Sequence, residues 1–295
     1  MAVYNGENYL RPTLEALLAQ TFEDFELIIS DNASTDNTEA ICREFAGRDR
    51  RVTYRRNERN MGMSWNYNQL FRLAQGEYFK WADHDDICAP EFIERCVQVL
   101  EAHPTVVLCD SIPSDIDEQG HVLEVHDKPL VTDHPSPSQR FYQFLRQQHD
   151  LQQISGLMRA SALRRTALHE PYPTADFVLL ASLLLIGPFH RVREKLFFYR
   201  RHAQQTVSLS RFARYPLLEP SKRGRILLPE WEAYWGLVRS VWRIRLMPSD
   251  RARCFVYALC WPAWHGNWLL LSKDLARAAL LKAGFKDRWS AGSSA

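Results

Sequence analysis

"FELIISDNASTDNTE", residues 25–39, joins a short apolar run to a Ser/Thr/Asn-rich turn and then to a helix start. Such a run, bounded by turn residues and too short for a helix, reads as a buried strand ending at Asp31. "DNTEAICREF", residues 36–45, then opens a helix, with Asp36 and Glu39 at capping-box spacing. Upstream, Leu10, Leu14, Leu17 and Leu18 fall at helical spacing, with Pro12 tolerated in the first turn. Downstream, "VTYRRN" (52–57) is a second strand, a helix runs through Tyr67 to Leu73, and "EYFKWAD" (77–83) is a strand whose end delivers Asp83. A helix is expected from near Pro90 to Ala102, and "TVVLCDS" (105–111) closes the alternation. Alternating strands and amphipathic helices predict an α/β fold, a mostly parallel open sheet flanked by helices. Open parallel sheets bind ligands beyond the carboxyl ends of their strands, where Asp31 and Asp83 both fall.

The expected organisation is an α/β half over 1–112, a second half of the same domain over 113–208, and a helical region over 209–295, whose Trp231, Trp235, Trp242, Trp261, Trp264 and Trp268 among Arg and Lys read either as a face resting on a membrane or as core aromatics. Residues 113–150 read as an irregular insertion leading to a helix near Phe141 to Gln148. A buried helix over Asp176 to Ile186 follows, then a break at Gly187-Pro188 and the strand-like "KLFFYRRH" (195–202). Phe177 to Ile186 is too short to span a bilayer. Phe255 to Leu271 is interrupted by Pro262, His265, Gly266 and Asn267, which favours a surface-bound helix over a spanning one.

The 295 residues carry a formal net charge of +2, so no broad basic field draws in nucleic acid, and none is expected as a partner. Six scattered cysteines without a C-x-x-C pair read as reduced, buried thiols. The N-terminus lacks the pattern of a signal peptide. The expected location is therefore cytoplasmic, with peripheral contact on the inner face of the membrane as the second expectation.

"ADHDDICAP", residues 82–90, places Asp83, Asp85 and Asp86 within four positions. Carboxylates so close repel one another unless a cation or hydrogen bonds intervene, which suits a hard-metal site for Mn²⁺ or Mg²⁺. The bland alternative is a helix cap among solvated acids. Asp31, in the crevice, suits an acceptor for a nucleobase N–H. His202 offers an imidazole to a metal or a donor to a phosphate, and Arg200 and Arg201 are either diphosphate clamps or a cationic surface loop. Asp176, at a helix start, is by itself no more than a favourable end charge.

"VYNGENYLRPTLEALLAQTFEDFELIISDNASTDNT" (3–38), "NMGMSWNYNQLFRLAQGEYFKWADHDD" (60–86) and "TADFVLLASLLLIGPFHRVREKLFFYRRH" (174–202) together resemble the family 2 glycosyltransferases of GT-A fold. The resemblance implies a nucleotide-sugar donor, UDP-, GDP- or dTDP-linked, with Tyr4 and Asp31 at the nucleobase and Glu7 and Asn68 as further donor contacts. It implies Asp85, the last acid of D-x-D, as the cation ligand, with Asp83 or His84 near the ribose or the metal. It implies Asp176 as the base that deprotonates an acceptor hydroxyl, in an inverting transfer to a glycan or lipid-linked acceptor, as in cell-surface polysaccharide or glycolipid synthesis. One departure stands out: family members carry several apolar residues before the Tyr-Asn turn, whereas here Met1-Ala2-Val3 precede it. Either the stated start lies downstream of the true one, or a shortened strand is tolerated. The rival readings are a nucleotidyl- or phosphotransferase, and a truncated nucleotide-binding relative without turnover.

Overall fold

The computed structural model describes residues 1–128, 130, 132–148, 150–203, 205 and 209–283. In chain order its elements begin β1 (Ala2–Val3), α1 (Leu10–Leu18), β2 (Leu27–Asp31), α2 (Thr38–Arg48), β3 (Val52–Arg56), α3 (Met63–Leu73) and β4 (Tyr78–Phe79). They continue with β5 (Ile87–Cys88), α4 (Phe92–Ala102), β6 (Leu108–Ile116), β7 (Val122–Val125), α5 (Pro137–Arg146), β8 (Leu157–Arg159) and α6 (Ala160–Leu163). The last are α7 (Ala175–Ile186), β9 (Phe189–Arg200), α8 (Arg211–Leu218), α9 (Pro229–Arg243), α10 (Pro248–Cys260) and α11 (Asn267–Lys282). Two compact units divide them: Met1–Pro129, Gln152–Ser161 and Phe189–Ala203 form the first, and Leu130–Leu151, Ala162–Pro188 and Gln204–Ala295 the second.

In the first unit β1, β2 and β3 make a parallel sheet, with Val3 opposite Asp31 and Asp31 opposite Arg56. A second sheet runs β4-β8-β6-β9-β5, with β7 on β6. Its β6–β9 pair is parallel, while β4–β8, β6–β8, β5–β9 and β6–β7 are antiparallel. The leucines of α1 behave as their spacing requires: Leu10, Leu14 and Leu17 are buried in one core with Ile29, Cys42 and Phe45. β1 is two residues long, and the Met1 ammonium donates to the Ile28 carbonyl at 2.6 Å.

Several local expectations need correction. "EYFKWAD" pairs as a strand only over Tyr78–Phe79; from Lys80 onward the chain leaves the ladder and becomes a loop. The expected helix start near Pro90 moves to Phe92, because Ile87–Cys88 is taken up as a strand against β9. The insertion after residue 113 holds β7, and the helix within it begins earlier, at Pro137. No Asp36–Glu39 capping box forms: Asp36 accepts from Thr38 N at 3.1 Å, two residues on, and Glu39 reaches Arg43 and Arg56 instead. Five cysteines are buried as expected, but Cys260 is exposed.

In the second unit the apolar run over α7 is buried nearly all round, as its composition demands, against α5 and α9. α10 packs on α5 and α9, and α11 on α9. Asp274 of α11 is buried and accepts from Glu230 N at 2.8 Å, which caps the start of α9. Burial pushes its carboxyl up to about 6, and burial also raises Glu230 despite its contact with Arg211.

A folded-state pKa above the unfolded value means that the folded form holds its proton longer, so this contribution is largest in acid. It is lost as pH rises through about 6. Asp274→Asn keeps an acceptor for Glu230 N, and the difference in melting temperature between variant and parent should therefore grow in the variant's favour from pH 4 to pH 7. A difference that is flat with pH would refute the assignment.

Candidate functional site

The acidic loop is built by strand register. β5 and β9 pair with Ile87 opposite Phe198 and Cys88 opposite Phe197, which carries Arg200 and His202 back to Asp85 and Asp86. Arg200 N donates to Asp86 Oδ1 at 3.0 Å, and its Nε donates to the Asp85 carbonyl at 3.0 Å. The same guanidinium holds the carbonyls of Asp117 and Glu118 at 3.1 and 2.8 Å. Arg200 is thus a buried pin on main-chain carbonyls and not part of a cationic surface loop. Arg201 is also engaged, on both oxygens of Asp115 at 2.6 and 2.8 Å. His202 Nε2 lies 2.9 Å from Asp85 Oδ2, and its side chain is only 6% exposed. Its Nδ1 is buried without a hydrogen-bond partner. Asp83 accepts from the Tyr67 hydroxyl.

The charges in this loop are poorly balanced. Burial, and next the Asp85 charge, raise the Asp83 carboxyl; burial and then the Asp85 and Asp83 charges hold Asp86 well above the ordinary carboxylate range. Among the described residues no Lys or Arg ion-pairs with these carboxylates; the one partner is His202. Lys80, the nearest ammonium in sequence, donates to the Ser155 carbonyl, and its charge lowers Asp83 and Asp86 by less than burial and the neighbouring acids raise them. Crowded carboxylates beside a buried imidazole with an unspent nitrogen are a donor set that fits Mg²⁺ or Mn²⁺.

The loop after β1 touches both halves of the expected donor site. On one side Asn5 N donates to Ser34 Oγ at 2.9 Å, Gly6 N to Thr38 Oγ1 at 2.9 Å and Glu7 N to Asp36 Oδ2 at 3.1 Å. Asn5 Oδ1 and Glu7 Oε2 return the favour, accepting from Thr35 N at 2.8 Å and Asn37 N at 2.9 Å. Glu7 therefore serves the start of α2. Asn5 adopts the left-handed conformation, φ 52°, which asparagine tolerates better than most residues. On the other side Gly6 lies against His84, where a β-carbon would come within 2.6 Å of Cδ2. The Tyr9 ring stands 4.6 Å from the His202 ring, with the Arg200 guanidinium 5.2 Å over Tyr9.

Asp31 is fully buried beside this loop, and its carboxylate is already occupied. Oδ1 accepts from Ser34 N at 2.8 Å, and Oδ2 accepts from the Tyr54 hydroxyl and Arg56 Nη1, each at 2.8 Å. Tyr4 is exposed. Asn68 is half-buried on α3. Its neighbour Asn66 is the packed amide: Nδ2 donates to the Ser30 carbonyl at 2.8 Å, and Oδ1 accepts from Asn57 Nδ2 at 3.2 Å. Asn32 likewise ties down the loop before α3: its Nδ2 donates to Asn60 Oδ1 at 2.9 Å, and its Oδ1 accepts from Met61 N at 2.9 Å. Asn32, Asn57, Asn60 and Asn66 carry no role in the sequence reading, which reached only Asn68; the run of asparagines around it was the available signal.

Asp176 belongs to the second unit, in the first turn of α7, with its side chain 43% exposed. His169 Nδ1 lies 3.1 Å from Asp176 Oδ1, and the histidine is buried. Nothing in the spacing of the two residues marked this pair. A further constellation missed in the sequence is Asp115, Glu124 and His126 on the β6–β7 hairpin, whose ligand atoms all lie within 4.8 Å of one another. There the Arg201 guanidinium already balances Asp115.

A family model described as glycosyl transferase family 2 matches residues 1–172. An uncharacterized glycosyltransferase of Haemophilus influenzae is 26% identical over 237 residues, 77% of this chain and 72% of that one. An uncharacterized glycosyltransferase of Methanocaldococcus jannaschii is 34% identical over 126 residues, and the match spans 42% of this chain and only 43% of the relative. Among solved structures, S. aureus TarS in complex with UDP-GlcNAc superposes with a TM-score of 0.60 at 14% identity, covering 95% of this chain and 79% of that one. The mannosyltransferase PcManGT from Pyrobaculum calidifontis, in complex with GDP-Man and Mn²⁺, gives 0.50 at 16% identity over 97% of this chain and 86% of that one. At these identities the superpositions establish the GT-A fold.

A methyl group at Gly6 would push against His84 Cδ2 at 2.6 Å and Val3 Cγ2 at 2.8 Å. Gly6→Ala should cost about 1–3 kcal/mol, the usual range for overpacking. The denaturation midpoint measures it, and an unchanged midpoint would show that the loop yields freely.

Proposed function

The chain belongs to glycosyl transferase family 2, and from that premise we propose that it moves a sugar from a nucleoside diphosphate donor to an acceptor hydroxyl with inversion, dependent on a divalent cation. One observation carries the reading: the Asp85–His202 pair, 2.9 Å apart, sits in an acidic loop where burial and the neighbouring acids outweigh the Lys80 charge. Asp85 and His202 would hold the cation. Bound there, Mn²⁺ or Mg²⁺ supplies Lewis-acid stabilisation to the departing diphosphate.

Asp176 takes the proton of the acceptor hydroxyl as its oxygen bonds the anomeric carbon and the bond from that carbon to the diphosphate oxygen breaks. His169, donating from Nδ1 to Asp176 Oδ1, turns the carboxylate and leaves Oδ2 for the acceptor. Tyr4, exposed at the loop after β1, and Asp31 serve the nucleobase, with Glu7 and Asn68 as further donor contacts. A base N–H that reaches Asp31 has to displace the Tyr54 hydroxyl or the Arg56 guanidinium from Oδ2. Asp83 and His84 lie next to the cation ligand in sequence and serve the ribose or the metal. UDP-GlcNAc with TarS and GDP-Man with PcManGT, two neighbours in fold, support a nucleoside diphosphate sugar as the class to try; UDP-, GDP- and dTDP-linked donors are the set, and the acceptor is a glycan or a lipid-linked sugar.

Incubation with such donors and Mn²⁺ should release nucleoside diphosphate, and release of pyrophosphate instead would replace transfer with nucleotidyl chemistry. Asp85→Asn should abolish the cation dependence of nucleoside diphosphate binding in a thermal-shift assay, since a ligand that binds the native state raises its stability. Retention of that dependence would remove Asp85 from the site.

Asp176→Asn should lower turnover by roughly 10²–10⁴, the usual worth of a general base, with donor binding unchanged. His169→Phe should lower kcat by up to roughly 10²-fold through misorientation while KM for the donor holds, and His169→Asn, which keeps a donor near the Nδ1 position, should recover most of it. Equal loss in both variants would make the histidine a packing residue only.

A further inference from the structure

The second unit carries an exposed apolar strip whose surroundings are cationic. On α10, Val256 and Leu259 are 55% and 61% exposed and stand on the side opposite buried Cys254 and Ala258. Trp242, 66% exposed at the end of α9, packs its ring 5.0 Å from Phe255 and so joins α9 to this part of α10. Met247, between the two helices, is 70% exposed. These are large side chains left in water with no described residue over them, although α9 and α10 bury their other faces well.

The charges select the occupant. Arg243, Arg245 and Arg253 are exposed around the strip. The only carboxylate between residues 239 and 260 is Asp250, which accepts from Ser136 Oγ at 2.9 Å and Ser138 Oγ at 2.6 Å. An isologous contact with a second copy would set these arginines against one another. An anionic lipid surface meets every term: headgroup phosphates pair with the arginines, Trp242 suits the interfacial depth, and the apolar side chains enter the acyl boundary. No helix among the described residues is long and apolar enough to cross a membrane, so the contact is one that lies on the surface.

We infer that the α9–α10 face, centred on Trp242, Met247, Val256 and Leu259 and rimmed by Arg243, Arg245 and Arg253, docks the protein onto anionic membranes. This inference stands apart from the catalytic assignments, since it uses none of their residues.

The test is co-sedimentation of the full chain with vesicles of phosphatidylglycerol and phosphatidylcholine against vesicles of phosphatidylcholine alone. Binding is expected to the anionic vesicles only, and to fade in 1 M salt, where screening shortens from ~10 Å at 0.1 M to ~3 Å. The triple variant Arg243→Gln/Arg245→Gln/Arg253→Gln should partition roughly 10²-fold more weakly, on the order of fivefold per cation removed. Val256→Ser/Leu259→Ser should weaken binding as well, and both sets are exposed, so melting temperatures should hold. The salt response of the parent chain and a blue shift of tryptophan fluorescence on binding read the same contact without any variant. Equal binding to both vesicle types, no binding to either, or a homodimer that the Val256→Ser/Leu259→Ser variant dissociates would each overturn the inference.

Discussion

The candidate site depends on one short ladder, Ile87–Cys88 against Phe197–Phe198. That pairing is antiparallel and only two residues long on the β5 side, yet it fixes where the end of β9 meets the acidic loop. Arg200 then closes the junction with its own N–H on Asp86 and its guanidinium on three carbonyls. Those carbonyls are oriented without spending a positive charge on the loop's carboxylates, so the acids keep their mutual repulsion. A largely buried cluster held in that state is one that a divalent cation would fit, because desolvated like charges are costly until something opposite joins them.

The second constraint is the loop between β1 and α1. Its backbone N–H groups from Asn5 to Glu7 are all taken by side chains of the turn after β2 and of the first residue of α2, and its glycine leaves room for His84. A loop that irregular has no ladder to satisfy its polar groups, so the Ser/Thr/Asp-rich turn opposite it does so. The consequence is that the segment nearest Asp31 and the segment nearest Asp85 share a rigid neighbour. The same economy holds Asp31 in place in the described state, with Ser34, Tyr54 and Arg56 on its carboxylate.

The second unit answers to different physics. α7 is apolar all round and is covered accordingly, whereas α9 and α10 keep one apolar face open under a cationic rim. Burial of Asp274 against the start of α9, with its carboxyl raised, is the polar cost of capping that helix.

By itself the sequence determined what depends on near neighbours. The β2 strand and its end at Asp31, the amphipathic α1, the all-apolar α7, the acidic run 83–86 and the family resemblance were all legible, because periodicity and composition report local burial directly. Tertiary structure alone decided which distant groups meet: His202 on Asp85 across 117 positions, Arg200 on the acidic loop, His169 on Asp176, and the closure of Asp31 by Tyr54 and Arg56. The truncation of the Tyr78 strand and the failed Asp36–Glu39 box have the same origin. Hydrogen-bond partners are chosen by strand register and loop packing, and a one-residue difference in either exchanges every partner while leaving the hydrophobic pattern of the sequence as it was.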